Sequence, residues 1–220
     1  MDTLSKPIYQ GQFGEFTITD GDRQEVILYR TGLAIAGGSW AIGVVVLFIF
    51  MANHHPQLLT ALTPLFFLFS AGLGLSLWKI HIYMVVLHRL LQLFWLIGTV
   101  AAAVFMIYSP EPLSLFIYSH PLSILGIGSI FAALTGIFFK EAFCFNRLET
   151  KFLTPLIPLL LLGHLFSFLP AAVEQVLLIL WAGLFLVFVY RKVVQPIPPD
   201  IGDKSVFDYL QRQRSVADAV

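Results

Sequence analysis

The sequence predicts an all-α fold: a polytopic transmembrane helical bundle of about six spans, with both termini on the cytoplasmic side. Three observations lead there. Hydrophobic residues make up 58% of the 220-residue chain and charged residues only 12%, about half the charge of a soluble domain. Six stretches have the roughly 20 apolar residues needed to cross about 30 Å of hydrocarbon. All thirteen Lys and Arg fall at the chain ends or in alternate connections, as the positive-inside rule demands. This composition excludes a soluble globular enzyme, a disordered chain and a disulfide scaffold. Thirteen acidic residues balance the thirteen basic ones, so no global field recruits nucleic acid. Cys144 is the single cysteine and has no partner for an internal disulfide.

The chain divides into a cytoplasmic N-terminal segment (1–31), a six-span transmembrane domain (32–192) and a cytoplasmic tail (193–220). Residues 9–19 alternate aromatic or aliphatic side chains with glycine and polar ones, and Thr19 or Asp20 opens a helix with acidic residues in its first turn. The spans are expected at about 32–52, 58–78, 84–108, 122–143, 153–170 and 172–190. Asn53-His54-His55-Pro56, Ser109-Pro110-Glu111-Pro112 and Leu169-Pro170 punctuate one side, and Trp78-Lys79-Ile80-His81 and Asn146-Arg147-Leu148-Glu149 the other. Thr63-Pro64 and Thr154-Pro155 place proline in a first helical turn, where its missing N–H costs little. Leu62-Thr63-Pro64-Leu65 also resembles Leu153-Thr154-Pro155-Leu156 on a span of opposite direction, as an inverted three-plus-three repeat would give. In the tail, Pro196-Ile197-Pro198-Pro199 is a stiff extended spacer, followed by an amphipathic helix at about Lys204–Arg214.

The central parts of the spans carry no Asp, Glu, Lys or Arg, the groups that usually mark a transport path. There is no HExxH, Walker loop, GxSxG or paired carboxylates on one helix face, so the expectation is a non-enzyme without a required cofactor or metal. His164, midway along the fifth span, has two readings. It is an imidazole hydrogen-bonded to a neighbouring helix, or an axial ligand to a tetrapyrrole such as chlorophyll, with Gly163 giving a flat ring access to the backbone. His81 and His88 are seven residues apart on the face of a third-span helix, in the interfacial region. His54, His55, Glu111, His120 and Glu174 are the titratable groups of the far side and read as solvated loop residues. Lys140 snorkels, while Glu141 pairs with a basic neighbour such as Arg147. Among the tryptophans, Trp78 suits the interfacial belt and Trp40, Trp95 and Trp181 suit packing.

Tyr9-Gln10-Gly11-Gln12-Phe13-Gly14-Glu15-Phe16-Thr17-Ile18-Thr19, the run Asp22 to Arg30, and Ala133 to Phe145 with Leu153-Thr154-Pro155-Leu156-Ile157-Pro158 behind it carry a likeness. From Tyr9 to about Tyr190 the chain resembles a family of integral membrane proteins of unknown function from cyanobacteria and plastids. The resemblance implies a thylakoid membrane and a link to photosystem or pigment-protein biogenesis, and it supplies no catalytic residues. The expected function is a non-enzymatic thylakoid protein that binds a photosystem or chlorophyll-protein complex, as a photosystem II assembly factor or accessory subunit. Phe13, Phe16 and Ile18 are the candidate partner-binding residues, and membrane lipid and chlorophyll-binding subunits the expected partners. The alternative is a small-solute or ion transporter built on the inverted repeat.

Overall fold

The computed structural model describes residues 7–217. Two short strands, β1 (Ile8–Gly11) and β2 (Gly14–Thr17), precede nine helices: α1 (Asp20–Asn53), α2 (Gln57–Lys79), α3 (Val85–Tyr108), α4 (Leu113–Ser119), α5 (Ile124–Phe145), α6 (Leu148–Leu165), α7 (Ala171–Val194), α8 (Pro198–Ile201) and α9 (Lys204–Ala217). Six of them (α1, α2, α3, α5, α6 and α7) are long and apolar enough to span a membrane, confirming the all-α polytopic bundle.

Several boundaries differ from expectation for local reasons. The first spanning helix starts twelve residues before the apolar stretch, because Thr19 and Asp22 form a reciprocal capping box that nucleates it at Asp20. The fifth span ends at Leu165, not near 170: Ser167 takes a left-handed conformation (φ 55°) and turns the chain into α7. Pro64 and Pro155 are not first-turn residues. Each lies inside its helix, eighth from the start, because α2 and α6 begin upstream of the Thr-Pro pair. His81 lies in the connection before α3, so it and His88 do not share a helix face. The expected proline spacer folds back instead of extending, and Pro198 and Pro199 open the single turn of α8.

The six long helices form a closed ring. Each packs on the next in sequence, and α7 returns to α1. Small residues let the backbones approach. A Cβ on Gly32 of α1 would stand 2.5 Å from the Gly72 carbonyl oxygen of α2, and one on Gly98 of α3 would stand 2.5 Å from the Ile130 nitrogen of α5. Aromatic rings fill the centre: Phe69, Phe131, Trp40 and Trp181 cluster with centroid separations of 4.0–5.8 Å, and Phe138, Phe185 and Phe188 pack towards the end where α1 begins and α7 finishes. We call that end the terminal side.

On the terminal side, residues 8–17 form an antiparallel hairpin pairing Ile8 with Thr17 and Gly11 with Gly14. Gly14 has φ 137°, a conformation that favours glycine, and it closes the turn. The hairpin packs on the tail. The Gln12 amide donates to an Asp203 carboxylate oxygen at 2.6 Å, the Phe13 amide donates to Ser205 Oγ at 3.0 Å, and Phe13 stacks on Tyr209 at 4.0 Å. Lys204 reaches Asp22 at 2.8 Å, tying the tail to the α1 cap. The Ser205 hydroxyl and the Gln12 amide hold the Asp203 carboxyl below its ordinary pKa. A depressed folded pKa means this contribution is complete above the unfolded carboxyl's pKa and is lost as pH falls through the folded one. Acidification is therefore expected to release the hairpin from the tail before the ring opens. The check is the hydrogen-exchange protection factor of the Gln12 amide, each rate taken relative to the intrinsic rate at its own pH: high at pH 6 and lost at pH 3, with the α5 amides still protected.

Candidate functional site

Two polar clusters and one cavity distinguish the interior. The first cluster seals the terminal side. Lys192, near the end of α7, is fully buried. Its ammonium donates to Glu141 of α5 at 2.6 Å and also to Asp200 of α8, and it lies 4.1 Å from the Phe145 ring centroid. Arg30 of α1 forks onto Asp200 through Nε at 2.9 Å and Nη2 at 2.7 Å. Its remaining donors go to the carbonyls of Val193, Gln195 and Pro196. The Tyr29 hydroxyl donates to Glu141 at 3.1 Å, and Lys140 bonds the same carboxylate at 2.9 Å. Buried charges persist only when paired and hydrogen-bonded, and here four elements contribute to one network. Glu141 thus pairs with Lys140 and Lys192, not with Arg147. Arg147 bonds Gln195 and faces Glu149 at 3.7 Å, an ion pair too long to be a hydrogen bond, while Glu149 receives Arg191 at 2.6 Å.

The second cluster lies at the opposite side. α6 and α7 form a helical hairpin about the turn at 166–170, which brings His164 and Glu174 together across ten residues, Nδ1 to Oε1 at 3.0 Å. The neighbouring-helix hydrogen bond expected of His164 is present. Glu174, expected among the solvated loop residues, is instead turned inward in the first turn of α7. Its carboxylate fixes the imidazole orientation, and His164 Nε2 is left buried without a partner. The open face expected at Gly163 is filled by Leu169, whose side chain lies where a Cβ would be.

Beside this pair is a cavity of about 500 Å³, bounded by α1, α2, α4, α5, α6 and α7 in the half of the ring away from the termini. Such a volume falls within the range that takes small molecules. Trp40 and Trp181 form part of its lining with Phe66, Phe69, Phe131 and Tyr118. The indole nitrogens of both tryptophans are buried and without an acceptor. Leaving such a group unpaired costs about 1–3 kcal/mol; the two indole nitrogens and His164 Nε2 are enclosed in the packing behind the cavity wall and do not open onto the cavity itself.

Of the residues expected at a partner surface, Phe13 is about half exposed on the hairpin tip against Tyr209, and Phe16 stacks on Tyr9 at 5.6 Å. Ile18 is buried in a small core with Val26 and Ile201. Among the described residues no group of three or more His, Cys, Asp or Glu has metal-binding geometry. The sequence reading passed over Asp200 and placed Glu174 among solvated loop residues, without its pairing to His164. The first hides in a proline-rich stretch. For the second, a signal existed in the short Leu169-Pro170 break, which forces neighbouring antiparallel helices.

Compared with known families, residues 75–209 match the uncharacterized integral membrane protein family DUF2301. No curated protein and no solved structure matches the chain.

Proposed function

The chain belongs to the DUF2301 family of integral membrane proteins, and from that premise we propose that it is a non-enzymatic binding protein of the thylakoid membrane that holds a photosystem or chlorophyll-protein complex, as a photosystem II assembly factor or accessory subunit. The observation that carries a binding role is the closure of the ring. The charge network and the Phe138–Phe185–Phe188 packing fill the terminal half, leaving an interior cavity that is blind on that side. The photosynthetic setting comes from the resemblance to cyanobacterial and plastid proteins. The reading needs no cofactor. A chlorophyll at His164 would find Nε2 free and Nδ1 anchored by Glu174, with Leu169 already occupying the glycine face. The alternative, an inverted-repeat transporter, draws support from Pro64 and Pro155 at the same place in α2 and α6. Against it, His164 and Glu174 are the only imidazole and carboxylate side chains among the residues that line the cavity, and no Lys or Arg lines it.

Affinity-tagged protein purified from thylakoids is expected to bring down photosystem or chlorophyll-protein subunits, and their absence from the mass spectrum overturns the proposal. The hairpin tip is the expected docking element. Phe13→Ala with Phe16→Ala removes the Tyr209 and Tyr9 ring contacts, each worth about 0.5–1.5 kcal/mol. The double variant is expected to stay in the membrane, since neither residue lies in a spanning helix, and to lose most of the co-purifying partner. Unchanged recovery of partner would move the docking element elsewhere.

A further inference from the structure

From the cavity we infer a binding site for a two-chain membrane lipid of the leaflet away from the termini. One acyl chain fills the cavity, the other lies in a groove outside it, and the head stays in the interface. The inference is independent of the photosystem reading.

The walls select hydrocarbon over water. Leu47 of α1, Leu62, Leu65 and Phe66 of α2, Leu161 of α6 and Leu178 of α7 bound the space, and each keeps some accessible surface. No polar side chain of α2 or α5 lines it. Ser39 of α1 spends its hydroxyl on the Ile35 carbonyl at 2.7 Å, and the buried indole nitrogens stay behind the wall. The remaining polar lining comes from α4, the end of α6 and the first turn of α7, so it is gathered at one end. A water held among the apolar walls needs two to four polar partners, and they offer none. Left empty, the space forfeits the dispersion contacts of its lining. The medium around the ring at this depth is hydrocarbon, and a chain drawn from it restores those contacts without giving up a hydrogen bond. With a methylene taken as about the size of a liquid water, roughly 30 Å³, the cavity of about 500 Å³ holds a chain of about sixteen carbons.

The exposed residues of the lining mark the mouth. They are Met51 in the last turn of α1, Leu115 and Tyr118 of α4, and Ala171 at the start of α7. The opening therefore lies where two spanning helices end, at the level where heads and chains of that leaflet meet. Deeper in, α1 and α7 converge. The Trp40 and Trp181 ring centroids are 4.0 Å apart, and a Cβ on Gly37 would stand 2.8 Å from Val189 Cγ2. A chain entering at the mouth runs down to this closure and stops. Outside, the same helix pair presents an apolar groove lined by Ala41, Val45 and Phe48 of α1 and Ile179, Gly183 and Leu186 of α7. The groove reaches Asn53, in the same turn of α1 as Met51, so both spaces begin at one level. Val44 lines both and separates them. That arrangement fits one lipid with a chain on each side of Val44.

The test places the purified full chain in phosphatidylcholine nanodiscs doped with a phosphatidylcholine that carries a diazirine at the end of one acyl chain. After irradiation, adducts are assigned to residues by peptide mass spectrometry. They are expected on Leu62 and Phe66 inside the cavity, as well as on the lipid-facing Leu96 and Val100 of α3. Gly43→Phe fills the cavity from a lining position where a Cβ meets nothing nearer than Leu62 Cδ2 at 3.9 Å. This variant is expected to keep the wild-type elution volume and the α3 adducts, and to lose the interior adducts at least fivefold. If Gly43→Phe does not fold, Leu178→Trp is used, with the same loss expected. Adducts confined to lipid-facing residues in the wild type overturn the site, since the cavity then holds something other than a lipid chain. Interior adducts that persist equally in a folded cavity-filling variant place the chain elsewhere and also overturn it.

Discussion

Lys192→Met is expected to destabilise the protein by about 3–5 kcal/mol, the usual consequence of removing one partner from a buried ion pair. Methionine keeps the length of the side chain but leaves Glu141 and Asp200 buried with one cation fewer, and it abolishes the approach to Phe145. The measurement is thermal unfolding in a mild detergent, read by tryptophan fluorescence and by loss of monodisperse elution. Lys192→Met combined with Glu141→Gln is expected to recover part of the loss, because one uncompensated charge is then gone. If the single variant melts within a degree of wild type, the network does not hold the terminal side shut. The comparison also separates charge from packing, since both variants keep similar volumes.

The second large effect is expected at the α1–α2 contact. Gly32→Leu drives a side chain into the Gly72 carbonyl, 2.5 Å from the new Cβ, and into the Ser76 backbone nitrogen at 2.8 Å. Both obstacles are backbone, so no rotamer relieves them and the helices must separate. Overpacking of this kind costs about 1–3 kcal/mol, and a rigid backbone obstacle places it at the upper end. The separation also breaks the Ser76 hydroxyl's bond to the Tyr29 carbonyl, 3.0 Å in the native packing. A cysteine cross-link between facing residues of α1 and α2 is expected to form in wild type and fail in the variant. Gly38→Leu, where an added Cβ meets nothing within 4 Å, is the matched control and is expected to be neutral.

The spans were legible in the sequence because lipid imposes a length and a polarity that composition cannot hide. The six helices appear where apolar stretches of the right length stand between turn residues. Their ends were less legible. Thr19 extended α1 through a cap that hydropathy does not register, and Ser167 ended α6 through a single backbone conformation. The hairpin was half legible: alternation at residues 9–19 was visible, but its placement depends on Gly14 and on a tail segment 191 residues away. The interior clusters were the least legible. Arg30 and Asp200 are separated by 170 residues, and nothing local marks either as buried. His164 stood out alone because an imidazole within an apolar run is conspicuous. Its partner Glu174 did not, because a carboxylate beside a proline break is equally at home in water.

The length of α1 has a mechanical consequence. Its 34 residues make a rod of about 50 Å, some 20 Å longer than the hydrocarbon it crosses. The excess stands at the terminal side, where Thr19 joins it to the hairpin and Lys204 and Asp200 clamp the tail to its first three turns. The hairpin and the tail are therefore tied to the overhang of the rod, which crosses α2 closely at Gly32 and Gly72. The far part of the same helix, from Trp40 to Met51, lines the cavity. One unbroken helix thus connects the assembly outside the hydrocarbon with the cavity wall inside it.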